Sequence, residues 1–295
     1  MENGCSENLI RIKKSLIWLY SQPDGIIANY SDAAENLIVV KEGNTIALHF
    51  MDTKTLMIKS KISDPMSTID ISNPLNLLGK YAQAMMLSLV FKGQPKNVYM
   101  LGFGGGRVPM VFHHYFSDLI VESSEISEGV LQLAEICFGI IPDDRMKITL
   151  QDGREHLQTF PENHFDIILL DSFSGVGDHP NHLSTVEFYQ LCKSRLVDDG
   201  VVVTNLIDNN PFYQQKVATF FSVFKFGYEY DNDGVMIFFA SDVDGFSSEK
   251  FQQKAAEIAT QYEFEFSYSE NSQYITACNN NDEAGAGLIL LDDSL

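Results

Sequence analysis

The chain has 295 residues, 45% hydrophobic and 12% aromatic, enough apolar material for one large domain or a domain with a smaller companion, so disorder along the whole length is excluded. Its 20 basic residues face 40 acidic ones, a formal charge of −20; this argues against nucleic acid or an anionic membrane surface as the main partner and is compatible with a small cationic substrate or with acidity that serves solubility alone. Cys5, Cys137, Cys192 and Cys278 form no CxxC pair and no zinc spacing, so the cysteines fit a reducing cytoplasm and no metal site is expected.

In chain order, "LIRIKKSLIWLYS" is interrupted by Arg11, Lys13 and Lys14. It falls far short of the roughly 18 apolar residues of a membrane span and precedes no small-residue cleavage site, so neither a span nor a leader is expected. Up to about residue 74 the chain reads as short strands and turns. "NLIVVKEG", "TIALHFM" and "TLMIKSKI" are β-rich runs separated by Gly43-Asn44 and Asp52-Thr53, and the turn-rich "SDPMSTIDISNP" marks a boundary. The expected organisation is an N-terminal β-rich region, 1–74, and a larger α/β domain, 75–295. That domain opens with a helix over Leu75–Phe91, despite Gly79.

From Asn97 strand and helix signals alternate. "NVYML" is a strand, "LGFGGGRVP" a glycine loop, and "RVPMVFHHYF" a helix whose Pro109 suits a first turn. "DLIVES" is the next strand. In "SEGVLQLAEICFG", Val130, Leu133, Ala134, Cys137 and Phe138 fall on one helical face, and Gly139 ends it. "MKITLQD" and the continuous apolar "FDIILLD" are strands, "TVEFYQLCKSRL" a helix and "VVVTNLI" a buried strand. "FKFGYEY" and "VMIFFAS" flank Asp231-Asn232-Asp233-Gly234, a hairpin signal. A helix at roughly 248–262 follows, and "CNNNDEAGAG" reads as a flexible tail. The pattern predicts a doubly wound, Rossmann-like methyltransferase-type sheet finished by an antiparallel hairpin.

Ligands bind such sheets at the carboxyl ends of the strands. Four ends here carry candidate residues. Gly102, Gly104 and Gly106 let backbone approach a ligand, or simply allow a tight turn. Glu125, 23 residues after Gly102, is placed to accept from two ribose hydroxyls, with Glu122 as its rival. Asp152, with Gly153, is placed to accept from an adenine amine or to cap a helix. Asp171 ends the apolar strand, as an acid poised to accept a proton or as a turn residue. The loop "SFSGVGDHPNHLST" after it is long enough for a lid.

With these motifs in order, the chain resembles the spermidine synthase (polyamine aminopropyltransferase) family over roughly residues 28 to 240. It looks most like the divergent bacterial members whose loop reads GxGGG. The resemblance implies a Rossmann-like fold, a homodimer joined through N-terminal strands, and transfer of an aminopropyl group from decarboxylated S-adenosylmethionine to a small amine, releasing methylthioadenosine without a metal. It assigns Gly102, Gly104 and Gly106 to the donor, Glu125 to its ribose, and Asp152 and Gly153 to its adenine. Asp171 becomes the acid that orients and deprotonates the amine, and Tyr81 the tyrosine that supports it. Several positions depart from the family pattern. The loop acid that holds the donor's ammonium falls on Gly105, the second acid of DxxDP on Ser174, and the acid of the "YQE" motif on Gln83 in Tyr81-Ala82-Gln83. A family glutamine falls on Glu35. Asp178 in the lid loop is a candidate replacement for one lost acid at the substrate. These departures leave two other readings: an S-adenosylmethionine-dependent methyltransferase, with Arg107 as a partner for the methionine carboxylate or else pointing to solvent, and a non-catalytic nucleoside-binding homologue.

Overall fold

The computed structural model describes residues 2–33, 35–51, 64–173, 179–208, 211–243, 245–278 and 289–294. The N-terminal region begins with a helix, α1 (Glu2–Leu16), where the sequence had suggested strands and turns. The basic residues that interrupt its apolar run are exposed, while Ile12 and Leu16 are buried; the run is one amphipathic face. Four antiparallel strands follow in a meander: β1 (Gly25–Ser31), β2 (Asn36–Glu42), β3 (Thr45–Phe50) and β4 (Ser67–Asp70). The first lies outside the expected runs, and the last occupies the stretch read as a boundary, turning Ser67 and Ile69 inward. The expected strand "TLMIKSKI" lies outside the described residues.

Helix α2 runs only from Lys80 to Met85 and continues as a tighter 3-10 turn over Met86–Val90. The expected earlier start at Leu75 fails at Gly79, whose extended backbone (ψ 125°) caps the helix.

The main sheet has eight strands in the order β12-β10-β11-β9-β8-β5-β6-β7. Parallel pairing joins β5 (Asn97–Leu101), β6 (Ile120–Glu125), β7 (Met146–Leu150), β8 (Phe165–Leu170) and β9 (Leu196–Asn205). The hairpin of β10 (Phe226–Asn232) and β11 (Val235–Ser241) adds antiparallel to β9. An unanticipated edge strand, β12 (Ile275–Cys278), pairs with β10. Between them run α3 (Arg107–Tyr115), α4 (Glu128–Cys137), α5 (Gly153–Gln158), α6 (Val186–Arg195), α7 (Tyr213–Val223), α8 (Ser248–Tyr262) and the short α9 (Tyr268–Asn271). Of these, α7 and α9 were not anticipated.

Side-chain alternation divides the core between the sheet's two faces. Val98, Met100, Ile167, Leu169, Val201 and Val203 pack with residues of α2, α3 and α8. Tyr99, Leu101, Ile168, Leu170 and Val202 pack with residues of α5, α6 and α7. A third cluster joins the N-terminal region to the main domain, with Ile12, Leu16, Val39, Leu48 and Ile69 against Phe103, Met110, Val130, Cys137 and Phe138. Strand order reverses between β5 and β8, because β5 leads on to β6 and β7 while β8 leads on to β9. A crevice therefore opens at their carboxyl ends.

Candidate active site

The glycine loop leaves β5 at this reversal. Gly102 has φ +83°, and a Cβ there would meet the Asp171 carbonyl oxygen at 2.2 Å, so only glycine lets the loop pass beside the end of β8. Gly104 and Gly106 also have positive φ, and Gly106 starts α3. Gly105 is closed in differently: a Cβ would lie 2.8 Å from both the Phe138 ring and Ser67 Cβ. The position where the family pattern expects an acid is thus walled by α4's end and by the N-terminal sheet.

Every amide of the loop has a partner. Gly102 N–H donates to the Ser124 carbonyl at 3.1 Å and Gly106 N–H to the Phe103 carbonyl at 2.9 Å. Gly105 N–H donates to Ser67 Oγ at 2.9 Å. Phe103 and Gly104 N–H donate to Glu125 Oε2 at 3.0 and 3.1 Å. The other Glu125 oxygen accepts from Ile126 and Ser127 N–H at 2.9 and 3.0 Å. Glu125 therefore stitches the loop to the end of β6. Its rival Glu122 sits within the strand and pairs with Lys147 at 2.9 Å. Glu35 comes to the same corner, accepting from Ser127 Oγ; burial and then the Asp32 and Glu125 charges push its carboxyl up, against the Ser127 hydrogen bond.

Asp152 caps α5, its Oδ1 accepting from Arg154 and Glu155 N–H at 2.9 and 3.1 Å, while Oδ2 lies 2.9 Å from His182 Nε2. Burial would raise this carboxyl, but the His182 hydrogen bond and the α5 amides outweigh it and hold it below the usual range. Gly153 brings α5 down on β5, since a Cβ would meet Leu101 Cγ at 2.2 Å. Tyr99 O–H ties the two together, 2.8 Å from the Gly153 carbonyl.

Asp171 closes the crevice. It is half-buried, and Asn205 Nδ2, at the end of β9, donates to its Oδ1 at 2.9 Å. Burial pushes the carboxyl up to about 6; the Glu125 charge adds to this and the Asn205 hydrogen bond opposes it. The Asp171 charge is felt by Tyr81, whose phenol is pushed up first by burial and then by Asp171. Tyr81 O–H donates to the Met66 carbonyl at 3.1 Å. Gln83 accepts from Asn271 Nδ2 at 2.8 Å and so braces α2 against α9. Asp178 and Ser174 lie outside the described residues. Arg107 is turned inward, away from solvent. It is 4% exposed, donating to the Pro74 carbonyl and to Met110 Sδ, and burial pulls it down to about 10.

Asn205, Ser67 and His182 are site residues that sequence reasoning missed, and each comes from an element distant in the chain. Ile126, 76% exposed at the end of β6, and Leu150, 51% exposed at the end of β7, could have been noticed as apolar side chains at strand ends. Beside the Glu125 and Asp152 carboxylates they offer exposed apolar surface.

A family model described as the spermine/spermidine synthase domain matches residues 81–230. The polyamine aminopropyltransferase of Chromobacterium violaceum is 28% identical over 195 residues, 66% of this chain and 70% of that protein. The eEF1A lysine and N-terminal methyltransferase of Mus musculus is 31% identical over 121 residues, 38% of this chain but 17% of that protein. A crystal structure of a probable spermidine synthase from Corynebacterium glutamicum matches in fold with a TM-score of 0.70 at 18% identity, covering 92% of this chain and 97% of that one.

Proposed function

Because the chain belongs to the spermine/spermidine synthase family, we propose that it transfers an aminopropyl group from decarboxylated S-adenosylmethionine to a small cationic amine of the polyamine class. The observation that carries this reading is Asp171, an acid raised to about 6 at the strand reversal, steadied by Asn205 and touching the glycine loop through its own backbone. A carboxylate of raised basicity suits removal of a proton from an ammonium, which is no nucleophile until it loses one. The freed nitrogen then bonds to the aminopropyl carbon beside the sulfonium. The carbon–sulfur bond breaks, its electrons stay on sulfur, and neutral methylthioadenosine leaves. Glu125 would face the donor's ribose, Asp152 and Gly153 its adenine, and Tyr81 would line the amine's approach. Work in a reducing cytoplasm, as a homodimer, belongs to the same proposal; the buried free thiols of Cys137 and Cys192 agree with the first.

The closed position at Gly105 favours a second reading, methyl transfer from intact S-adenosylmethionine, since no acid stands there for the decarboxylated donor's ammonium. The loop speaks against it. Its amides are engaged and Arg107 is turned inward, so neither supplies the partner that a methionine carboxylate needs. Incubation with each donor and a panel of putrescine, cadaverine, spermidine and agmatine decides between them. Methylthioadenosine formed only from the decarboxylated donor is expected. Asp171→Asn should lower that rate about 10²- to 10⁴-fold, the usual worth of a positioned base, while nucleoside affinity changes less than about threefold. No turnover with any amine would defeat the proposal.

A further inference from the structure

Residues 289–294 return to the body of the fold and end beside Asp152. Leu290 is buried, its N–H donating to Thr219 Oγ1 on α7 at 2.9 Å and its carbonyl accepting from Val186 N–H at 2.9 Å. Asp292 then meets Arg154 side-on: Nη1 to Oδ1 is 2.8 Å and Nη2 to Oδ2 is 2.6 Å. Thr185 Oγ1 also donates to Asp292 Oδ1 at 2.7 Å, and Asp292 N–H donates to Glu187 at 3.0 Å. The same Arg154 Nη1 donates to the carbonyl of His182 at 2.9 Å, and the His182 ring lies 2.9 Å from Asp152 Oδ2.

The guanidinium is a rigid planar fork, so two bonds to one carboxylate fix its plane. Of its remaining contacts, the longer one reaches Thr185 Oγ1 at 3.5 Å and the shorter one fixes the backbone of His182, and with it the ring against Asp152. The Arg154 side chain is 18% exposed and begins two residues from Asp152. Without Asp292 the guanidinium would lose the carboxylate that fixes its plane, and Glu187 is the other acid whose charge reaches it. Glycine-loop and Asp171 contacts do not involve this chain of bonds.

We propose that Asp292 is a positioning residue for the nucleoside donor: through Arg154 it sets His182 against Asp152 and holds that carboxylate in the orientation that receives the adenine amine. The C-terminal segment is therefore a brace for one end of the donor site. The inference rests on the nucleoside-donor reading of Asp152.

Calorimetric titration of the full-length protein with methylthioadenosine tests it. Asp292→Ala should weaken binding about tenfold and Asp292→Glu recover most of it. In an Asp152→Asn background Asp292→Ala should have no further effect on affinity. A lowered melting temperature with unchanged affinity, or an equal loss of affinity in both backgrounds, overturns the proposal. Absence of methylthioadenosine binding by the unaltered protein would instead count against the nucleoside reading. The brace is then decided on the free protein, where Asp292→Ala should speed exchange of the Arg154 and Glu155 amides, which donate to Asp152, about tenfold over exchange in the central strands. Unchanged exchange at those two amides overturns it.

Discussion

Asp171 is half-buried, and its surroundings pull its proton in opposite directions: burial and Glu125 tighten it, while Asn205 loosens it, with about 6 as the outcome. Turnover that uses its carboxylate should rise with pH through about 6, read from the acid limb of kcat/KM. The same group acts on stability with a definite sign. Its folded value lies above the ordinary 3.8, so between the two the folded state binds the proton more tightly. This contribution to stability therefore falls as pH rises through that window, by at most about 3 kcal/mol. Asp171→Asn should remove it, raising the melting temperature at pH 7 by a few degrees. No rise would mean that solvent already relieves the charge.

At the scale of elements, Glu125 does more than the sequence suggested. An acid at the end of the second parallel strand was legible, but its four backbone donors were not, because they depend on the glycine loop folding back beside β6. Glu125→Gln keeps the size and converts one acceptor into a donor facing two N–H groups. It should cost about 1–3 kcal/mol of stability, the penalty for stranded buried donors, and weaken nucleoside binding as the loop loosens; denaturant unfolding and methylthioadenosine titration check the two effects. Strands β5, β8 and β9 were readable from their apolar runs, and β6 and β7 from their place in the alternation with helices. The N-terminal helix was not, since basic residues on its exposed face broke up the apolar run when read linearly. Nor was β12, whose four residues gain their hydrogen bonds from β10 rather than from any local pattern. Asn205 stayed hidden inside an apolar strand, as only the pairing of β9 with β8 brings it to Asp171.

The whole molecule titrates in two opposing ways. Burial, the largest influence on each, pulls His113, His114 and His156 below the ordinary 6.5, His114 to about 4. Each binds its proton less readily folded than unfolded, so stability present at neutral pH is lost as pH falls below 6.5. Asp171 offsets part of that loss over pH 6 to 4. Melting temperatures across this range should therefore fall more steeply for Asp171→Asn than for the unaltered chain, and less steeply for His114→Gln. Parallel profiles for all three would sink this account. The apolar cluster shared by the N-terminal region and the main domain means that a division at residue 74 is a proposal about chain organisation, with one continuous core across it. That shared core includes the wall around Gly105, made by Phe138 of the main domain and Ser67 of the N-terminal sheet. It makes the loop's past and future substitutions dependent on their order. Aspartate introduced at position 105 alone meets two walls and should abolish nucleoside binding; after Phe138→Ala the Ser67 wall remains, and only with Ser67→Gly as well should the same change be tolerated. The route to an acidic loop is thus closed in one step and requires both walls to change first.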